Sequence, residues 1–106
     1  MRRLSARELR EYLDRTEEPP LLLDVREPWE YQVCHLPNSQ LVPMRHIPTA
    51  LDQLEPGRET VVICHHGIRS AAVARFLEQA GFTNVINLDG GVAAWAREVD
   101  RSMPTY

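Results

Sequence analysis

The stretch Thr60-Val61-Val62-Ile63-Cys64-His65-His66-Gly67-Ile68-Arg69-Ser70-Ala71-Ala72 decides the fold. Thr60 to Ile63 is β-branched throughout, the composition of a strand with both faces buried. The run stops at a cysteine, a short loop containing glycine follows, and a helical pattern begins at once. That pattern, Ser70 to Ala80, sets Val73, Phe76, Leu77 and Ala80 on one face, with Gly81 as the C-terminal stop. A strand that feeds a helix through so short a loop is half of a parallel crossover unit.

Working outward, the same alternation repeats. Leu4 to Leu9 starts a helix, with Ser5 as N-cap, Glu8 closing a capping box and Leu4 placed to staple onto Leu9. Glu17-Glu18-Pro19-Pro20 ends that helix. Leu21-Leu22-Leu23-Asp24-Val25 reads as a second buried strand, followed by a short helix around Pro28 to Tyr31. Gln40-Leu41-Val42 is a weak strand, and Ile47 to Leu54 a further short helix. Asn84 to Leu88 is a strand, and Asp89-Gly90-Gly91 turns into a last helix carrying Val92, Trp95 and Val99. Residues 1–100 are expected to form one α/β domain: a mostly parallel sheet of about five short strands with helices on both faces. Residues 101–106 read as a C-terminal tail. Trp29, Tyr31 and Trp95 are expected in the core.

Composition narrows the function classes. The chain has 106 residues, 43% hydrophobic and 25% charged, enough for one core and too few for two. No apolar run reaches the roughly 20 residues of a membrane span, and the start of the chain carries charges where a secretory leader needs an apolar stretch. A cytoplasmic monomer is the expectation. The formal charge is −3, and the twelve basic residues are all arginines. They are scattered among acidic neighbours without a basic stripe, so no nucleic-acid partner is expected. Cys34 and Cys64 match no zinc-ligand spacing, and the adjacent His65 and His66 rarely turn to one centre, so no metal and no cofactor is expected.

The Cys64 loop carries the chemistry. It lies at the carboxyl end of a strand, where open α/β sheets place their sites. Its backbone N–H groups can curl around the sulfur as an anion-binding nest, with a helix N-terminus behind and the Arg69 cation beside them. All three favour thiolate over thiol. Gly67 supplies the positive φ or close approach that a tight cradle needs. Ser70 is suited to capping the helix.

Three segments together resemble the single-domain rhodaneses, the thiosulfate sulfurtransferase family: Leu23-Asp24-Val25-Arg26-Glu27, Cys64 through Ser70, and Asn87 through Trp95. The resemblance runs from Leu4 to Trp95. It implies a rhodanese-like fold and a Cys64 nucleophile that takes sulfur from thiosulfate or a similar donor. The resulting persulfide passes to cyanide, a thiol or a protein acceptor. Arg69 would bind the donor's anionic end, and the backbone N–H groups of His65, His66, Gly67, Ile68 and Arg69 would hold the persulfide charge. Asp24 and Arg26 match positions that brace the scaffold. A sulfur-relay or regulatory module built on the same loop is the alternative.

Dual-specificity phosphatases and arsenate reductases share this architecture but place arginine six residues after the cysteine. Here Arg69 stands five after Cys64, which suits a smaller pocket. One segment departs from the family pattern Gly-His-Ile-Pro-Gly-Ala, reading Cys34-His35-Leu36-Pro37-Asn38-Ser39. Asn38 tolerates the left-handed conformation that glycine would take there. His35 is expected to be a structural hydrogen-bonding residue. Cys34 is either a bystander, the preferred reading, or a second thiol that resolves the persulfide or pairs with Cys64.

Overall fold

A computed structural model describes residues 1–106. Five strands form one sheet: β1 (Arg2–Leu4), β2 (Leu21–Asp24), β3 (Gln40–Leu41), β4 (Thr60–Ile63) and β5 (Val85–Leu88). They lie in the order β1-β5-β4-β2-β3, and every pairing is parallel. The helices are α1 (Ala6–Arg15), α2 (Pro28–Val33), α3 (Ile47–Ala50), α4 (Ile68–Gln79) and α5 (Gly91–Glu98).

The two-residue period of the strands sorts their side chains between two cores. Val61, Ile63, Ile86 and Leu88 pack with Ala6 and Leu9 of α1 and with Val92 and Trp95 of α5. Val62, Val85 and Leu23 face the other way, onto Ile47 of α3 and Val73, Ala74 and Leu77 of α4. Cys64 belongs to this second set and Cys34 to the first. The sheet thus separates the packing environments of the two cysteines.

The expected helix start at Ser5 is present in full: Ser5 Oγ accepts from the Glu8 amide at 3.2 Å and the Ser5 amide donates to Glu8 Oε1 at 2.8 Å. At the end of α4, the Gly81 amide donates to the Glu78 carbonyl and the Phe82 amide to the Leu77 carbonyl. That is the double closure that a left-handed glycine allows, and Gly81 has φ +97°. Asn38 takes the left-handed conformation as expected, with φ 66°.

Four local readings change. Arg2–Leu4, read as part of the approach to α1, is an edge strand. It is too short and too exposed to show a periodicity, and it is anchored by Arg2 bonds to Glu59 (2.7 Å) and Asn84 (2.8 Å). The helix expected over 47–54 holds only one α-helical turn, flanked by tighter 3₁₀ turns at Met44–His46 and Leu51–Gln53. Helix α4 starts at Ile68, so Ser70 lies inside it and caps nothing; its buried face is Ser70, Val73, Ala74 and Leu77, while Phe76 and Ala80 are exposed. Trp29, expected in the core, is 58% exposed, because α2 turns Glu30 inward instead.

Arg26 binds the scaffold beneath the site. The side chain is fully buried, as is that of Asp24. Its guanidinium donates to both Asp24 oxygens, to the carbonyls of Cys34 (2.7 Å) and Glu30 (3.3 Å), and to the Tyr106 hydroxyl (2.9 Å). A buried cation is tolerable only when its donors are matched in this way. The braced ion pair expected of Asp24 and Arg26 is therefore present.

Helix α5 meets the Cys64 loop end-on. The amides of Val92 and Ala93 donate to the carbonyls of Cys64 (2.9 Å) and His65 (3.0 Å). Gly91 makes this approach possible. A Cβ there would stand 2.4 Å from both carbonyl oxygens, and its φ of +59° is in the left-handed region. Gly91→Ala is accordingly expected to cost roughly 2 kcal/mol or more. That cost corresponds to a fall of about 10 °C in Tm, read by thermal unfolding, and a variant melting with the parent would contradict this packing.

Candidate active site

Cys64 is 1% exposed, at the carboxyl end of β4. The loop beyond it turns its carbonyls towards α5, as described, and two of its amides towards the sulfur. Gly67 N–H lies 3.1 Å from Sγ and Ser70 N–H 3.3 Å. Gly67 adopts φ +97° as the residue before α4, and a Cβ on it would press against Gly90 N at 3.1 Å and Leu88 O at 3.2 Å. Of the amides expected in the cradle, His65 to Arg69, only that of Gly67 meets the sulfur, and Ser70 supplies the second; a Cβ at position 67 would meet two backbone atoms. The first amides of α4, those of Ile68 and Arg69, have no acceptor within the helix and point out of its N-terminus. They are free to receive negative charge placed beyond Sγ.

The predicted side chains divide. Arg69 reaches the site, while Ile68 is 79% exposed at its rim. His66 is exposed and lies against His65, ring centroids 4.0 Å apart. His65 stacks on Tyr106 at 4.0 Å and 17°. Burial, helped by the neighbouring His66, holds the His65 imidazole below its ordinary range, so at neutral pH it is uncharged. Neither ring approaches Sγ within hydrogen-bonding distance; the groups that do are the amides of Gly67 and Ser70 and the Ser70 hydroxyl.

Arg69 is not free. Its Nη1 and Nη2 donate to the two oxygens of Glu30 at 2.7 and 2.8 Å, a bidentate fork. The Glu30 side chain is 5% exposed. Hydrogen bonds from Arg69 pull its carboxyl down to about 2 against the opposing effect of burial, with further help from the Glu27 amide and Tyr106. Tyr106, from the segment expected only as a tail, donates its hydroxyl to Glu30 Oε2 at 2.8 Å while accepting from Arg26. Burial pushes its phenol up to about 12. Residues 101–106 therefore pack back onto the domain, with Met103 buried as well.

Four participants had little or no signal in the sequence. Ser70, expected as a cap, points inward: its hydroxyl receives the Cys64 S–H at 3.3 Å and donates to Asn87 Oδ1 at 2.5 Å. Asn87 in turn donates to the Gly67 carbonyl (3.3 Å) and to Asp89 (2.8 Å). The thiol thus has a buried hydrogen-bond acceptor, and the loop a side-chain brace from β5. Asn87 did leave a trace, as the lone polar residue in Val85-Ile86-Asn87-Leu88. Glu30 and Tyr106 left none, since their roles depend on tertiary contacts.

His35 bonds the Tyr31 carbonyl through Nδ1 at 2.8 Å, the structural part expected of it. Cys34 is buried, and its carbonyl serves Arg26. Both cysteines are free thiols. No group of three His, Cys, Asp or Glu side chains is arranged to hold a metal. No helix is long and apolar enough to cross a membrane. The larger cavities, of about 390 and 650 Å³, lie at the amino end of the sheet around Pro19, Pro20 and Arg58, and neither contains a cysteine.

A sulfur atom held this way can attack an electrophilic centre as a thiolate, and the space beyond it can stabilise one further anionic atom. Comparison with known proteins shows the family. A chloroplastic rhodanese-like/PpiC domain-containing protein 12 of Arabidopsis thaliana is 40% identical over 89 residues, covering 80% of this chain and 30% of that protein. The chain therefore spans under a third of that relative's length. The thiosulfate sulfurtransferase GlpE of Pseudoalteromonas translucida is 33% identical over 85 residues, 80% of this chain and 79% of GlpE. A crystal structure of a rhodanese-like domain protein from Staphylococcus aureus superposes with a TM-score of 0.85 at 32% identity, covering 93% and 95% of the two chains. The Rhodanese-like domain profile matches residues 5–98, and with that extent the chain belongs to the rhodanese-like family.

Proposed function

We propose that the chain is a sulfurtransferase in which Cys64 takes the outer sulfur from thiosulfate or a similar donor and delivers it to a thiophilic acceptor. The observation that carries this reading is the pair of amides, from Gly67 and Ser70, aimed at a buried sulfur beneath the N-terminus of α4. The thiolate attacks the outer sulfur, a Sγ–S bond forms, and sulfite leaves with the electrons of the broken S–S bond. The persulfide anion then lies where the amides of Ile68 and Arg69 have no helical acceptor. Attack by cyanide or a thiolate on the terminal sulfur regenerates Cys64. Once Cys64 has lost its proton, the transfer itself needs no acid or base, since the attacking thiolate and the leaving sulfite are both anions.

Arg69 has a part in donor binding. A guanidinium carries five N–H donors, and Glu30 engages two of them. The remaining donors can meet the sulfonate of thiosulfate. The relative named as the thiosulfate sulfurtransferase GlpE supports thiosulfate as a donor, and the natural acceptor would be a small thiol or a protein in the cytoplasm. Residues 1–100 act as the unit, with 101–106 supplying the Tyr106 contact.

Two measurements test this. Incubation with thiosulfate, followed by intact-mass analysis, is expected to add one sulfur atom to the wild type and none to Cys64→Ser. An unmodified wild type would refute the reading, and an adduct that survives in Cys64→Ser would move the site to Cys34. Arg69→Ala is expected to lower kcat/KM for thiosulfate by about tenfold or more, the loss of a charge-assisted contact. It should also lower Tm, because Glu30 is left buried without its partner. Unchanged rates at subsaturating thiosulfate would remove Arg69 from donor binding.

A further inference from the structure

The charges around Cys64 cancel in pairs. Arg26 is committed to Asp24, both fully buried. Arg69 gives both terminal nitrogens to Glu30 at 2.7 and 2.8 Å. Glu30 is locked in turn by the Tyr106 hydroxyl at 2.8 Å and the Glu27 amide at 2.9 Å. Glu30 stays ionised throughout the neutral range, and His65 adds no charge. The mouth of the site therefore presents no uncompensated cation from these residues. Three largely apolar side chains stand beside it instead: Ile68 at the start of α4 (79% exposed), Trp29 next to Glu30 (58%), and Tyr106 (37%), which meets Trp29 edge-on at 5.3 Å.

Resting on the sulfurtransferase reading above, we infer that Glu30 is a specificity-determining residue. It cancels the charge that Arg69 would offer a doubly charged donor, and so favours sulfane sulfur carried on an organic thiol, R–S–SH, over thiosulfate. The reason is electrostatic. A dianion entering the mouth sheds part of its hydration, and Arg69 draws it in while Glu30, in direct contact with Arg69, repels it at similar range. The two nearly offset, leaving the desolvation cost uncovered. A thiol-borne persulfide brings at most one negative charge to its reacting end, against two on thiosulfate, and none in the R–S–SH form that reacts; its organic part can lie on Ile68, Trp29 and Tyr106.

The transfer from R–S–SH balances without any oxidant or reductant. The Cys64 thiolate attacks the terminal sulfur, and the new Sγ–S bond forms as the donor's S–S bond breaks. R–S⁻ leaves with the electron pair, and the proton stays on the transferred sulfur. Glu30 touches none of the reacting atoms; it acts through Arg69.

The test compares kcat/KM for thiosulfate and for glutathione persulfide in the full chain, wild type against Glu30→Gln. The amide keeps the shape but removes the charge. The ratio of the thiosulfate value to the persulfide value is expected to rise about tenfold, mainly through a lower KM for thiosulfate. A purely structural role would depress both donors together and leave the ratio in place, which would overturn the inference. Should Glu30→Gln fail to fold, the wild type still decides: kcat/KM should be higher for glutathione persulfide than for thiosulfate at equal ionic strength. A thiosulfate value equal to or above it would overturn the inference. Loading of Cys64 by both donors with an unmoved ratio defeats this inference alone, whereas loading by neither defeats the sulfurtransferase reading with it.

Discussion

Two hydrogen bonds hold the site in its working shape: those from the amides of Val92 and Ala93 to the carbonyls of Cys64 and His65. These bonds fix the first two peptide units of the loop against α5, and the chain beyond them turns the amides of Gly67 and Ser70 to the sulfur. The rest follows from that orientation. Gly91 must lack a Cβ for α5 to come close, Gly67 must adopt positive φ to turn into α4, and Asn87 must reach across from β5 to hold the Gly67 carbonyl. The two glycine-bearing turns, at 67 and at 90–91, are therefore one device. Each packs against the other, since a Cβ on Gly67 would meet Gly90.

The same economy governs charge. Two arginines lie close to the site, and each is matched by a buried carboxylate, Asp24 for Arg26 and Glu30 for Arg69. Burying these carboxylates would be unfavourable on its own, and it is tolerated because each accepts more than one hydrogen bond. The result is a loop whose attraction for negative charge comes from oriented amides and a helix terminus, a short-ranged field that acts on an atom bonded to Sγ. A free cation would act at longer range on any passing anion. Tyr106 joins the two pairs through one hydroxyl, which couples the C-terminal segment to both.

Much of this was legible in the sequence, because it rests on local rules. The capping box at Ser5, the β-branched run into Cys64, the glycine of the cradle and the left-handed Asn38 each express a preference that a few neighbouring residues determine. The order and spacing of three segments then pointed to the rhodanese-like family. What escaped was tertiary. Strand β1 is three residues long, and its place is set by pairing with β5. Trp29 looks like a core residue by type, yet α2 rotates Glu30 inward because Arg69, thirty-nine positions away, completes it. Ser70 has the chemistry of a cap and sits three residues beyond the capping position, which Gly67 occupies. The partnership of Cys34 also resolves only in three dimensions: it packs on the α1 and α5 side of the sheet, and Cys64 on the α3 and α4 side.

The claim on which everything else depends is that the loop amides, and not the histidine rings, receive the transferred sulfur. A crystal structure of the sulfur-loaded protein, with sulfur positions taken from anomalous scattering, tests it most directly. The account predicts one extra sulfur bonded to Cys64 Sγ, within hydrogen-bonding distance of amides between Gly67 and Ser70, with Arg69 still forked to Glu30. A terminal sulfur turned out of the cradle against His65 or His66, or one bonded to Cys34, would contradict it.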